Sequence, residues 1–256
     1  YGLAVSTTMT ITTVIFYVVA RERFRWPRSQ AIALCGLFLI VDLAFLGSTL
    51  FKIPYGGWLP LAIAAAVFTV LSTWRTGRRL VGERLLRGGL ELTRFIESLE
   101  HHPPTRTPGV AAYMYSGRGI TPPALLAALR HTQVLPTTVL VVAVVTEDVP
   151  RVLPGRRTEI TDLGSGFYEV VLHFGFTESP RVPDALAGRV AMDLGVDLGT
   201  ISYVLGAESL RVTARPGMAR WREHLFAVLA RNATSAADYF DLPFDQTLVL
   251  GITVEL

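Results

Sequence analysis

One carboxylate and a row of hydroxyl groups stand inside segments that are otherwise apolar. Asp42 is the only charged residue between Ala31 and Phe51, and Thr7 and Thr8 belong to a threonine-rich stretch near the start of the chain. A lone carboxylate inside a membrane-length apolar segment costs about 3 kcal/mol, so it carries a proton or finds a partner. Asp42 is therefore either a proton-carrying group or a hydrogen-bonded structural aspartate. The hydroxyls offer oxygen ligands to a dehydrated cation, or they hydrogen-bond between helices.

A second set of candidate residues lies in the more polar part of the chain. Gly117 and Gly119 follow a strand-like segment and precede a helix, where a turn can approach a phosphate group. Glu147 and Asp148 end a buried-strand pattern, and ligands of open α/β sheets bind beside such strand ends. We take these four residues as a candidate site for a small regulatory ligand. The alternatives are a plain turn at the glycines and a cap and turn at the acidic pair.

No metal site or cofactor is expected. The histidines do not have the spacing of metal ligands, and the chain has one cysteine, so an intrachain disulfide is impossible. The paired histidines before Pro103 lack an accompanying cysteine or carboxylate cluster and fit a solvated linker. No phosphate-binding loop of the nucleotide-hydrolysing enzymes and no catalytic constellation is present, so we do not expect an enzyme.

Three apolar segments must position the first set of residues. They cover about residues 3–20, 31–51 and 58–74, and Asp42 is their one charge. At about 1.5 Å rise per residue each can cross a hydrocarbon core of roughly 30 Å, the third only just. The turn between the second and third contains Pro54, Gly56 and Gly57, which makes these segments antiparallel neighbours. Half of the residues are hydrophobic and 18% are charged, which also indicates that part of the chain is solvated by lipid.

The arginines predict the orientation of these segments. Four arginines lie between the first and second segments, one lysine between the second and third, and five arginines between Arg75 and Arg87. The positive-inside rule then places Tyr1 outside, residues 21–30 inside, the turn at residues 52–57 outside and everything after Arg75 in the cytoplasm. A net charge of +3 with arginines beside apolar segments fits membrane topology better than nucleic-acid binding. Because no basic leader precedes the first segment, we expect earlier membrane segments before Tyr1.

The remaining chain predicts an amphipathic connector and linker over residues 76–104 and an α/β domain over residues 105–256. The connector is expected to run along or away from the inner leaflet, and the Pro-rich stretch of residues 100–109 is expected to be a linker. The unbroken β-branched run Thr138–Thr146 predicts a strand buried on both faces. A hairpin is expected around Gly164-Ser165-Gly166, and the strand–helix order predicts a mixed sheet covered by helices.

Several longer motifs of the chain match one known family in order. The motifs are YGLAVSTTMTITT from Tyr1, KIPYGGWLPL from Lys52, TWRTG from Thr73, TPPAL from Thr121, VVTEDVP from Val144, FGF from Phe174, PGMARWR from Pro216 and RNA from Arg231. Over essentially its whole length the chain resembles the C-terminal portion of the Kup/HAK/KT potassium uptake transporters. A departure is Gly47-Ser48-Thr49, where the family pattern has a Ser-Ala-Asn-like run, which puts one interhelical hydrogen bond in doubt.

The resemblance implies a plasma-membrane carrier that takes up K⁺, a secondary transporter working as a K⁺:H⁺ symporter with a LeuT-like core. This chain would supply its last three membrane helices and its cytoplasmic domain, and the resemblance assigns no ion ligand to them. Candidate partners are the lipid bilayer, K⁺ and H⁺, a second copy in a homodimer, and a small regulatory nucleotide on the cytoplasmic domain. The alternatives are a membrane-anchored cytosolic α/β module that senses a nucleotide and, more weakly supported, a membrane-bound enzyme.

Overall fold

The computed structural model describes residues 2–51, 53–55, 57–87, 89–211 and 217–255. It divides into two compact units, Tyr1–Ser72 and Thr73–Leu256. The boundary falls next to the end of the third apolar segment. Lys52 and Gly56 of the predicted turn, and Pro216 of the PGMARWR motif, lie outside the described residues.

The first unit is helical. Its elements are α1 (Gly2–Glu22), α2 (Arg28–Leu50), a short 3₁₀ helix (Ile53–Tyr55) and the first part of α3 (Trp58–Arg87). By length and composition all three α-helices can cross a membrane. Large apolar side chains are exposed along them, with Ile40 at 70% and Phe68 at 72%, as expected for surfaces that lipid covers. The three predicted membrane-length helices are thus present. The helix α3 continues to Arg87 through a stretch rich in arginine and leucine, which favour helix, although it contains Gly77 and Gly82.

The second unit is built on a six-stranded sheet. The strands are β1 (Thr105–Met114), β2 (Val134–Glu147), β3 (Thr158–Gly164), β4 (Phe167–Gly175), β5 (Ser202–Arg211) and β6 (Thr247–Glu255). Their order is β3-β4-β2-β1-β5-β6, and every neighbouring pair is parallel except β3 with β4. The predicted mixed sheet and its hairpin are confirmed. Gly164, Ser165 and Gly166 all have positive φ, the backbone conformation that makes glycine favourable in this turn.

Helices cover both faces of the sheet. The first face carries α4 (Leu92–His101) and α5 (Pro123–Thr132). The second face carries α6 (Val182–Ala185), a π-helical turn (Leu186–Val190) and α7 (Ala191–Leu194), with α9 (Ala236–Tyr239) beside them. The remaining helix, α8 (Arg220–Arg231), packs on α3. The chain therefore crosses one face between β1 and β2 and the opposite face between β4 and β5. In open α/β sheets of this topology, ligands bind beside the carboxyl ends of the strands.

The predicted connector and linker differ from the structure. The apolar side of α4, made of Leu92, Phe95, Ile96 and Leu99, is buried against the first face of the sheet and not against a leaflet. An amphipathic pattern fits protein and lipid partners equally, and here the sheet supplies the apolar partner. The Pro-rich stretch is not an open linker, because α4 reaches His101 and β1 starts at Thr105. A break in the β1–β2 register between Thr107 and Val110 accommodates Pro108 and Gly109.

Candidate functional site

Two polar contacts join α1 and α2 in the first unit. The Thr13 hydroxyl donates to Asp42 Oδ2 at 2.6 Å, and the hydroxyls of Ser6 and Thr49 lie 3.2 Å apart. Both pairs fit one antiparallel register, with the Arg23–Pro27 turn between the helices. Thr49, which replaces the amide of the family pattern, thus still supplies an interhelical hydrogen bond.

Asp42 is buried between these helices, with 5% of its surface exposed. Its partner Thr13 was missed by sequence reasoning, because the pairing depends on the register of two helices and not on local spacing. The sequence feature that could have indicated this hydrogen bond is the presence of several threonines in α1 and one acidic residue in α2. The contact satisfies one oxygen of Asp42 and is compatible both with a structural aspartate and with a group that takes up and releases a proton.

Thr7 and Thr8 use their hydroxyl protons within α1. Thr7 Oγ1 donates to the Leu3 carbonyl at 2.8 Å, and Thr8 Oγ1 donates to the Ala4 carbonyl at 2.9 Å. Each oxygen keeps lone pairs that can face a cation. Thr8, Thr12, Thr13 and Asp42 line one groove of about 520 Å³ along the helix pair, whereas Thr7 is outside its lining. The structure therefore brings Thr8 and Asp42 together and leaves Thr7 apart from them.

The second candidate set lies at the carboxyl edge of the sheet. Gly119, which has a φ of +68°, donates its backbone N–H to Glu169 Oε1 at 2.9 Å. Glu147 Oε1 lies 2.7 Å from His173 Nδ1, and His173 Nε2 lies 3.7 Å from Glu159 Oε2. Arg118, between the two predicted glycines, donates to Glu159 at 3.1 Å. These contacts place Gly119 and Glu147 around one charged cluster.

This cluster has chemistry that the glycine pattern did not indicate. Three glutamates (Glu147, Glu159 and Glu169) accompany Arg118 and His173. A phosphate group would have to displace Glu169 from the Gly119 N–H and would face the remaining carboxylates. The arrangement favours cations and hydroxyl or amine donors of a ligand over a bare phosphate. Asp148 is exposed beyond the end of β2.

Glu178 anchors the loop that follows β2. It accepts backbone N–H groups from Gly175 at 2.7 Å and Val152 at 3.0 Å, and it pairs with Arg157. The two backbone N–H groups, and after them Arg157, lower the pKa of Glu178 to about 2. The acidic pair at the end of β2 is thereby attached to a loop held in place by one ionised carboxylate.

A third polar cluster, also missed by sequence reasoning, joins α3 to α8. Arg222 Nε donates to the buried Thr73 hydroxyl at 3.0 Å, and the rings of Trp74 and Phe226 are 5.6 Å apart. Gly77 lies under the Phe226 ring so closely that a Cβ there would be 2.5 Å from the ring Cγ. Glu223 is fully buried and accepts the Gly217 N–H at 3.0 Å. The TWRTG and PGMARWR motifs therefore meet at one packing contact.

Three membrane-length helices followed by this α/β domain define an integral membrane protein with a globular extension. A family model described as the K⁺ potassium transporter integral membrane domain matches residues 1–79, and one described as the K⁺ potassium transporter C-terminal domain matches residues 108–256. The chain belongs to this potassium transporter family, known as Kup/HAK/KT.

Named relatives agree with this membership. The chain is 43% identical to the "Probable potassium transport system protein Kup" of Nitrosomonas eutropha and 44% identical to that of Myxococcus xanthus. Both alignments cover all of this chain but only 40% and 39% of the relatives. The chain thus spans about two fifths of the length of these relatives. No solved structure matches it significantly, so a LeuT-like core stays a prediction.

Proposed function

We propose that this chain is part of a plasma-membrane transporter that takes up K⁺ as a K⁺:H⁺ symporter. The observation that carries the proposal is Asp42, a buried carboxylate held by Thr13 between two membrane-length helices. K⁺ is proposed as the substrate because relatives are named as potassium transport proteins. The carboxylate of Asp42 provides a group that can exchange a proton within the membrane.

The proposed coupling step uses only groups that the chain contains. When Asp42 is ionised, the Thr13 hydroxyl donates to it and stabilises the charge. When Asp42 binds a proton, it becomes neutral and the cost of holding it in an apolar environment falls. A carrier that alternates between two states can couple proton movement to K⁺ only if the two states hold this proton with different affinity. Among the described residues, we place this difference in the groove that contains Thr8 and Asp42.

The test uses the full-length protein that carries this chain, expressed in a bacterium deficient in potassium uptake. We expect growth at low potassium, and we expect Asp42→Asn to weaken growth and to flatten its dependence on external pH. Thr69→Val is the matched control, since the Thr69 hydroxyl donates within its own helix to the Ala65 carbonyl and Thr69 is outside the lining of this groove. Uptake, expression and pH dependence that are unchanged in Asp42→Asn would leave Asp42 with a structural role only.

A regulatory ligand on the α/β domain is our second proposal. The observation that favours it is the charged cluster at the carboxyl edge of the sheet, where Gly119 donates to Glu169 and Glu147 contacts His173. We propose that a small nucleotide binds there by its hydroxyl and amine groups, with Glu147 and Asp148 as acceptors. Such a ligand regulates transport if it binds the two states of the transporter with different affinity.

Thermal unfolding of the full chain with added adenine nucleotides tests this second proposal. A ligand at one hundred times its Kd stabilises the folded state by about 2.7 kcal/mol, a shift that a melting curve resolves. Glu147→Gln combined with Asp148→Asn should abolish the shift, whereas Asp245→Asn, an exposed carboxylate before β6, should leave it unchanged. A melting curve that no nucleotide shifts would refute the proposal that a nucleotide binds this domain. It would not affect the transport proposal.

A further inference from the structure

The position of α8 relative to the bilayer follows from its contacts with α3. The uncharged run of α3 ends at Trp74, and Arg75 is the first charge after it. Arg222 on α8 hydrogen-bonds Thr73, and Phe226 packs against Trp74 and Gly77. These contacts hold α8 against the turn of α3 at which the uncharged run ends.

The length of that run fixes the depth of this turn. Seventeen uncharged residues, from Trp58 to Trp74, span about 26 Å, slightly less than the roughly 30 Å of hydrocarbon that a spanning helix crosses. The hydrocarbon core of the bilayer therefore ends within about one helical turn after Trp74. This is the turn that contains Gly77, so α8 lies at the level of the lipid headgroups.

The side of α8 that faces away from α3 has the composition of an interfacial helix. Trp221, His224, Val228 and Arg231 follow one another at spacings of three or four residues and form one stripe, which we call the outer stripe of α8. Trp221 is 59% exposed and Val228 is 48% exposed. Exposed tryptophan is typical of the boundary between lipid and water, where its ring contacts acyl chains and its N–H contacts headgroups.

The charges on α8 and on the adjoining part of α3 are mostly positive. Arg220 and Arg231 are exposed on α8, and Arg75 and Arg79 are exposed on α3. The acidic groups of the same helices are Glu83, whose side chain lies 3.8 Å from Arg79, and Glu223, which is buried. The surface that α8 presents at headgroup level is therefore basic and carries an exposed indole.

We propose that the outer stripe of α8, together with Arg220, binds anionic phospholipid headgroups and anchors the α/β domain to the bilayer surface. Trp221 inserts at the boundary, and Arg220 and Arg231 pair with headgroup phosphates. Charge complementarity selects an anionic lipid surface over a neutral one, and each arginine at such a surface favours the docked state by about fivefold. The proposal needs only the membrane location of the chain and does not depend on potassium transport.

The test places a fluorescent probe on the outer stripe of the full chain. Cys35 is first replaced by Ala, and an environment-sensitive dye is attached to Val228→Cys or, in a second variant, to His224→Cys. The protein is reconstituted into vesicles of phosphatidylglycerol and phosphatidylcholine that contain lipids spin-labelled near the headgroup. We expect the spin labels to quench both probes, and we expect quenching to fall in pure phosphatidylcholine or at 1 M salt, where charges are screened beyond about 3 Å.

The control probe is attached to Met192→Cys on α7, which is 80% exposed and lies on the second face of the sheet. It should not be quenched. Arg220→Gln combined with Arg231→Gln should lower the ratio of docked to undocked α8 by about 25-fold in the anionic vesicles. Equal quenching of the probes at positions 192 and 228, or no quenching at positions 224 and 228 in anionic vesicles, would overturn the proposal. Energy transfer between dyes on two copies without lipid quenching would also overturn it, because the stripe would then be an interface between copies.

Discussion

Gly77 offers a sharp test of how the α/β domain is attached to α3. A Cβ at this position would lie 2.5 Å from Cγ of the Phe226 ring, well under the 3.0 Å below which a neighbouring group must move. Phe226 is 1% exposed, so its ring has little room to shift. Among the residues that the structure describes, none places a heavy atom within 4 Å of a Cβ added at Gly82, on the same helix. The two glycines therefore form a matched pair.

The size of the effect follows from two opposing terms. Replacing a helical glycine by alanine stabilises the helix by about 1 kcal/mol at both positions. Inserting a methyl group into a packed contact costs about 1–3 kcal/mol, and this cost applies only at Gly77. Separation of α8 from α3 relieves the clash but leaves α3 helical. Gly77→Ala should therefore change the equilibrium between packed and separated α8 by the clash energy alone. The ratio of separated to packed α8 should rise about 5- to 150-fold.

Amide hydrogen exchange of the full chain in detergent measures this separation directly. We expect the amides of α8 to exchange faster in Gly77→Ala, at an unchanged rate in Gly82→Ala, and at a partly restored rate when Gly77→Ala is combined with Phe226→Leu. Unchanged exchange of α8 in Gly77→Ala, or equal acceleration in both alanine variants, would refute the packing of α8 on α3 that the structure shows.

Three further predictions concern other parts of the chain. Cysteines at Ser29 and Pro54, in a background without other cysteines, should be labelled from opposite sides of the membrane, and labelling of both from one side would contradict the orientation. Glu178 ionises with a pKa of about 2, against an ordinary value of 4.5, so its stabilisation should be present above pH 4.5 and lost as the pH falls towards 2. In Glu178→Gln this part of the pH dependence of the melting temperature should disappear. If the melting temperature of the variant depends on pH as steeply as that of the wild type, the assignment to Glu178 is wrong. Thr13→Val should weaken the α1–α2 pair in detergent unfolding by about 0.6–1.7 kcal/mol, whereas Thr12→Val should not, and equal losses would refute the interhelical hydrogen bond.

The elements that could be predicted have strong local signals. The run Thr138–Thr146 predicted the central strand β2, and the Gly164-Ser165-Gly166 turn predicted the β3–β4 hairpin. The uncharged lengths predicted the three membrane-length helices. In each case one property of consecutive residues, such as β-branching, turn conformation or absence of charge, determines the element.

The contacts that could not be predicted join residues far apart in the chain. Thr13 meets Asp42 only because α1 and α2 share one register, and Arg222 meets Thr73 across about 150 positions. The apolar side of α4 gave no sign of whether lipid or sheet would cover it. Glu169, which binds the Gly119 N–H, sits in a strand whose pattern predicts only burial. The nucleotide, the homodimer and the roles of Thr7, Thr8 and Asp42 stay predictions.

Coupled flux through the full-length protein in vesicles tests the central claim most directly. With a K⁺-selective electrode and a pH-sensitive dye inside the vesicles, we expect an inward proton gradient to drive K⁺ uptake, accompanied by acidification of the interior. Asp42→Asn should reduce the acidification per K⁺ taken up, while Thr69→Val, outside the groove, should not. Potassium-dependent flux that is absent from the wild-type protein, or K⁺ uptake with no movement of protons, would contradict the account.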